Sequence, residues 1–193
     1  TNPGMDLAGV VEEAGRDVRD LQPGDAVYGT GTSTFAEFAI APAGQLARKP
    51  SNLSFEEAAT VPDSGLTALE AVRDVARITE GQSVLVIGAS GGVGAFAVQI
   101  ARAYGARVVG VASTAKLDFV RGLGAERVID YTREPLDGTY DVVLDIGGNR
   151  PLRELRARLR ERGTLVLVGG EEGGKWTGGI ERAIAASLLD PFV

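Results

Sequence analysis

The chain has 193 residues, 44% hydrophobic and 24% charged, an ordinary composition for a soluble globular protein. Its formal charge of -6 argues against nucleic acid or an anionic membrane as the main partner. It has neither cysteine nor histidine, which removes disulfides, Cys/His zinc sites, a histidine base and a cysteine nucleophile. No signal-peptide pattern and no long apolar span occur, so the cytoplasm is the expected location.

The first fifty residues read as short strands. Segments 8–15 (AGVVEEAG), 25–30 (DAVYGT) and 34–42 (TFAEFAIAP) carry β-branched and aromatic residues and are bounded by Pro23-Gly24-Asp25, Gly29 and Pro42. Ser54 with Glu57 three residues on is a capping box, so a short helix starts near Phe55 and stops at Pro62. A second helix is predicted from Gly65 to Ile78, with Leu66, Leu69, Val72 and Ala76 on its apolar face.

From Ser83 the chain alternates between strand and helix. Strand 83–87 leads into a helix whose apolar face carries Val93, Phe96, Ala97, Ile100, Ala101 and Tyr104. Strand 106–113 precedes a helix over 115–123 that Gly124 stops; ERVIDY and YDVVLDI are the next strands. Asn149 is the expected cap of a further helix, with Pro151 in its first turn. That helix should bury Leu152, Leu155 and Leu159, turn five arginines from Arg153 to Arg162 outward, and end at Gly163 before strand TLVLVGG. Apolar strands alternating with amphipathic helices predict an α/β fold with a parallel sheet covered on both faces.

The stretch SVLVIGASGGVG joins a strand to a helix through a glycine turn, which places free N–H groups and the positive helix end together. A P-loop would need Gly-Lys-Ser/Thr, but Ala95 and Phe96 follow Gly94. Gly88, Gly92 and Gly94 fit the short-chain dehydrogenase spacing, yet the required Tyr-x-x-x-Lys is missing: Thr32, Val108, Pro135 and Leu144 follow the four tyrosines. The remaining pattern is the dinucleotide fingerprint, with Ala89 in the first glycine place before Gly91 and Gly94. A turn with no ligand is the plain alternative.

Seven motifs occur in one order: PGMDLAGVVEEAG, LQPGDAVYG, FAEFAIAP, LSFEEAATVP…GLTALEA, GASGGVGAFAVQIARAYGARVVGVAST, LGAERVIDYT and YDVVLDIGGN…GTLVLVGG. Together they resemble the zinc-independent, quinone-oxidoreductase-like branch of the medium-chain dehydrogenase/reductases. The resemblance implies a Rossmann doubly wound parallel sheet preceded by a partial GroES-like β-barrel, with the barrel part over 1–60 and the dinucleotide-binding part over 61–193. It also implies barrel strands before Thr1, and a last Rossmann strand and barrel return after Val193. Met5 and Asp6 stand where zinc-dependent members place His and Glu, so no metal is expected.

The resemblance implies NADPH as cofactor, held by Ser90, Gly91, Gly92 and Val93 at the pyrophosphate, while Gly94 serves helix–strand packing. Thr67 in GLTA matches a threonine near the nicotinamide; its alternative is a hydroxyl bonded to its own helix. No acid follows the strand ending near Ser113, so Ser113, Thr114 and Lys116 are read as contacts of a ribose 2′-phosphate, with Tyr131 at the far side. Gly147, Val168 and Gly169 end the last two strands, where ligands of parallel sheets bind. Tyr28, Asp63 and Asp145 are read as structural, and no catalytic residue is identified.

The implied activity is hydride transfer to a quinone or activated alkene, with water protonating the product. The implied full-length protein is a homodimer, and the present segment is expected to be much weaker than a version extended at both ends. A non-catalytic, crystallin-like NADPH-binding protein or an inactive fragment is the rival reading.

Overall fold

The computed structural model describes residues 3–169. One compact unit extends to Leu66 and a second begins at Thr67.

The first unit is built on a three-stranded antiparallel sheet of β1 (Asp6–Val10), β2 (Ala26–Thr30) and β3 (Leu46–Arg48), in that order. Asp6 pairs with Thr30 and Val10 with Ala26, while β2 pairs with β3 from Val27–Arg48 to Gly29–Leu46. Gly24, with φ 93°, makes the turn after Pro23. Asp25 then takes the Arg48 guanidinium at 2.6 Å and ties the turn to β3.

Two expectations for this unit are corrected. The first strand begins at Asp6 and stops at Val10. Segment 34–42 is not a strand: Ser33 turns to φ 58°, which breaks the extended run, and only the bridge Thr32–Ile40 forms. The chain places a strand instead at 46–48, which the sequence reading missed.

α1 (Phe55–Ala58) has the expected capping box: Ser54 Oγ accepts from Glu57 N–H at 3.1 Å, and Glu57 accepts from Ser54 N–H at 2.8 Å. α2 (Pro62–Leu69) starts at Pro62, not Gly65, because proline suits a first turn whose N–H has no helical partner. The helix then winds as a π-helix from Glu70 to Val75. Its buried residues are Ala68, Ala71, Val72 and Ala76, while Leu66 is exposed. Small side chains let this helix lie close, and the wider turn moves the buried stripe away from Leu66.

The second unit is the expected parallel sheet. Its strands are β4 (Ser83–Ile87), β5 (Arg107–Ala112), β6 (Arg127–Asp130), β7 (Tyr140–Asp145) and β8 (Leu159–Leu167). They lie in the order β6-β5-β4-β7-β8, all parallel. The order reverses beside β4, which makes the doubly wound switch point.

Alternate residues of each strand feed two cores. Val84 and Val86 point to a face rich in alanine and valine, packed under α3 (Gly92–Ala103) and α4 (Leu117–Gly122). Leu85 and Ile87 point to the other face, with Ile129, Tyr140, Val143 and Leu155 of α5 (Leu152–Arg156).

α3 turns the predicted face to the core: Ala97 and Ala101 are buried and Val93, Phe96 and Ile100 pack against the same cluster, with Gly94 and Val98 buried as well, while Tyr104 at its end is exposed. Pro151, not Asn149, precedes α5, and the helix has five residues. Leu159 belongs to β8 rather than to that helix. Gly163 lies inside β8 where its register slips: Tyr140 pairs with Leu159, but Val142 pairs with Thr164. Arg162 at φ 63° absorbs the extra residues.

Candidate cofactor site

Because the five strands are parallel, their carboxyl ends share one rim. Ile87 is level with Val111 and Asp145, Asp145 with Leu167, and Ala112 with Asp130. Each loop leaving that rim carries residues singled out from the sequence.

The turn after β4 is tight. Gly88 takes φ 82°, and Gly91 N–H returns to the Gly88 carbonyl at 3.1 Å. Gly91 is then the helix cap, with Ala95 N–H bonded to its carbonyl at 2.9 Å. The N–H groups of Gly92, Val93 and Gly94 precede that first helical bond, so they carry the positive end of α3. Gly91 and Gly92 are exposed, while Ser90 and Val93 are half-buried. A β-carbon on Gly94 would lie 2.0 Å from the Gly88 carbonyl oxygen. Gly94 is therefore a packing glycine that lets the helix start against the strand end. Ala89, in the first glycine place, is fully buried.

At the end of β5, Ser113 is half-buried and its carbonyl accepts from Lys116 N–H at 2.8 Å. Its hydroxyl makes no bond among the described residues. Lys116 is exposed. Thr114 differs from expectation: its hydroxyl donates to the Asp130 carboxylate at the end of β6, so it is not a free donor. The reason is a neighbour sixteen residues away in sequence. Asp130 is 5% exposed and also accepts from Thr132 N–H at 3.0 Å and Thr132 Oγ1 at 2.7 Å. The Thr114 hydroxyl, followed by that of Thr132, holds the Asp130 carboxyl below its ordinary range. Sequence reasoning missed Asp130; the threonines at 114 and 132 around VIDYT were its only signal. Tyr131 is 54% exposed, so it is not the half-buried core aromatic of the plain alternative.

Beyond β7, Gly147 N–H bonds the Ile87 carbonyl at 3.3 Å, and its nitrogen would lie 3.0 Å from a β-carbon on Gly88. A β-carbon on Gly169 would lie 1.9 Å from the Ile146 carbonyl. Fully buried Asp145 accepts from Gly148 N–H at 3.3 Å, and its backbone carbonyl accepts from Val168 N–H at 3.0 Å. Asp145 therefore joins the two last loops. Thr67 belongs to α2 and not to a rim loop; it is half-buried, and among the described residues its hydroxyl makes no bond to its own helix.

In the first unit, Asp6 accepts from Asp63 N–H at 3.1 Å, and burial pushes the Asp6 carboxyl up. Tyr28 lies half-buried on β2. Both Asp63 and Tyr28 sit in local structure. Among the described residues no helix is long and apolar enough to cross a membrane.

Residues 1–70 match the alcohol dehydrogenase GroES-like domain, and residues 92–183 match the family described as zinc-binding dehydrogenase. The NADPH-dependent alkenal/one oxidoreductase of Arabidopsis thaliana is 40% identical over 77% of this chain and 42% of its own length. A solved alcohol dehydrogenase superfamily protein of Novosphingobium aromaticivorans is 32% identical, with TM-score 0.75 over 98% of this chain and 70% of that one. The quinone oxidoreductase of Pseudomonas syringae is 30% identical, with TM-score 0.80 over 93% and 60%. The chain spans about half the length of the curated relatives it matches. The ordered motifs, the sheet order and these matches agree: the chain belongs to the alcohol dehydrogenase, or medium-chain dehydrogenase/reductase, superfamily.

Proposed function

We propose that this chain is the central part of an NADPH-dependent oxidoreductase that reduces quinones or α,β-unsaturated carbonyls without zinc. The observation that carries the reading is the β4 turn, where Gly94 lets α3 begin against the strand and exposes the N–H groups of the glycine turn at the switch point. That cradle fits a pyrophosphate. The zinc of the matched family name does not fit: the chain has no cysteine or histidine, and among the described residues no acidic cluster could hold a metal.

When bound, the nicotinamide supplies the hydride. The chain's own part is binding and orientation. Gly92 and Val93 N–H groups face the pyrophosphate, with Ser90 beside them. The Ser113 hydroxyl and Lys116 ammonium take the 2′-phosphate, and Tyr131 closes the far side. Gly147, Val168 and Gly169 line the nicotinamide end, with the hydroxyl of Thr67. Water protonates the product, and the cytoplasm is its proposed location.

The test is calorimetric titration of both nucleotides. NADPH should bind more tightly than NADH. Ser113→Asp should weaken NADPH by roughly 10–100-fold, the worth of one hydrogen bond to a charged group, and leave NADH nearly unchanged. Lys116→Ala should act in the same direction, more weakly. Equal affinity of the parent for both nucleotides refutes the assignment. Extended at both ends to its relatives' length, the protein should oxidise NADPH with quinone or enone acceptors. Binding without turnover over a broad acceptor panel would favour a non-catalytic NADPH-binding protein.

A further inference from the structure

We infer that Asp130 limits this site's preference for a 2′-phosphate, by accepting the hydrogen bond of the Thr114 hydroxyl and fixing a negative charge beside the loop that follows β5. The inference rests on the cofactor reading above and assigns a specificity role to a residue outside its contacts.

Three observations carry it. Asp130 is buried at the end of β6, and Ala112 beside it in register is the last residue of β5. Its carboxylate accepts the hydroxyls of Thr114 and Thr132, which lie 3.0 Å from each other. Both threonine protons therefore point at Asp130, and neither is offered to a ligand. Among the described residues the cation paired with it is a weak counterweight: Arg133 Nε lies 3.7 Å away on a side chain that is 74% exposed. Glu134 brings a second acidic group to the spot, its carboxylate accepting the Asp130 N–H at 3.2 Å.

A dianionic phosphate near Ser113 thus meets a fixed negative charge and one hydroxyl donor fewer than the sequence offers. A cofactor with a free 2′-hydroxyl meets neither penalty. In Asp130→Asn the charge is gone. The amide keeps an oxygen for Thr132 and offers an N–H to Thr114, whose proton then turns outward.

The experiment titrates NADPH and NADH into the parent chain, Asp130→Asn and Thr114→Val by calorimetry. Asp130→Asn should bind NADPH about tenfold more tightly, one hydrogen bond to a charged group, with NADH changed less than threefold. A gain confined to one nucleotide is not what a damaged fold produces. Thr114→Val, which keeps the shape of the side chain, should leave the NADPH/NADH ratio at the parent value, because that hydroxyl is already committed. Unchanged or weaker NADPH binding by folded Asp130→Asn overturns the inference, as does a tenfold NADPH loss in Thr114→Val. A parent that binds neither nucleotide overturns the cofactor reading and this inference together. A parent that binds both with an unmoved ratio in Asp130→Asn overturns this inference alone.

Discussion

A single methyl group separates the present β4–α3 junction from one that cannot close. Gly94→Ala would put carbon 2.0 Å from the Gly88 oxygen and 2.9 Å from Ala89 Cα, both in backbone that has no side-chain freedom to yield. Overpacking of this kind costs about 1–3 kcal/mol or more. Thermal denaturation should show a Tm loss of several degrees, whereas Gly91→Ala, whose nearest contact is 3.5 Å, should leave Tm close to the parent. The glycine turn was legible because strand, turn and helix are local and their spacing is fixed. The direction of the Thr114 hydroxyl was not, since it depends on Asp130, which only strand pairing brings near.

Among elements, the amino ends of the strands are fastened as firmly as the carboxyl ends are open. Asp141 of β7 accepts the Ser83 N–H and hydroxyl, each at 2.7 Å, and the Arg160 guanidinium at 3.0 Å to both oxygens. The Ser83 N–H above all, then its hydroxyl, lowers the Asp141 carboxyl to about 2. A depressed folded-state value stabilises above the ordinary carboxylate range and is lost as pH falls toward the folded value. Stability should therefore drop between about pH 4 and pH 2, and Asp141→Asn should lower Tm at pH 7 while flattening that slope in chemical denaturation. Ser54→Ala should cost about 1 kcal/mol through the capping box of α1. That box was readable three residues apart; the π-helix over 70–75 was not, because packing rather than propensity selects it.

At the scale of the whole molecule, the second unit followed its sequence closely and the first did not. Parallel strands buried on both faces announce themselves as apolar runs, and all five were found. In the first unit, Phe35, Phe38 and Ile40 look like a strand but are 74, 75 and 87% exposed. Such a patch should promote self-association. The triple change Phe35→Ser, Phe38→Ser, Ile40→Thr should lower hydrophobic-dye binding and leave the circular dichroism spectrum unchanged. The opposed rims of the second unit have a consequence for how such a protein changes over generations. The Ser83–Asp141–Arg160 fastening and the nucleotide loops are separated by the length of β4, about 13 Å for five residues. Substitutions that far apart combine additively. Drift at one rim can therefore explore new ligand preferences while the other keeps the sheet intact, and Ser113→Asp with Asp141→Asn should show effects that sum, each invisible to the other.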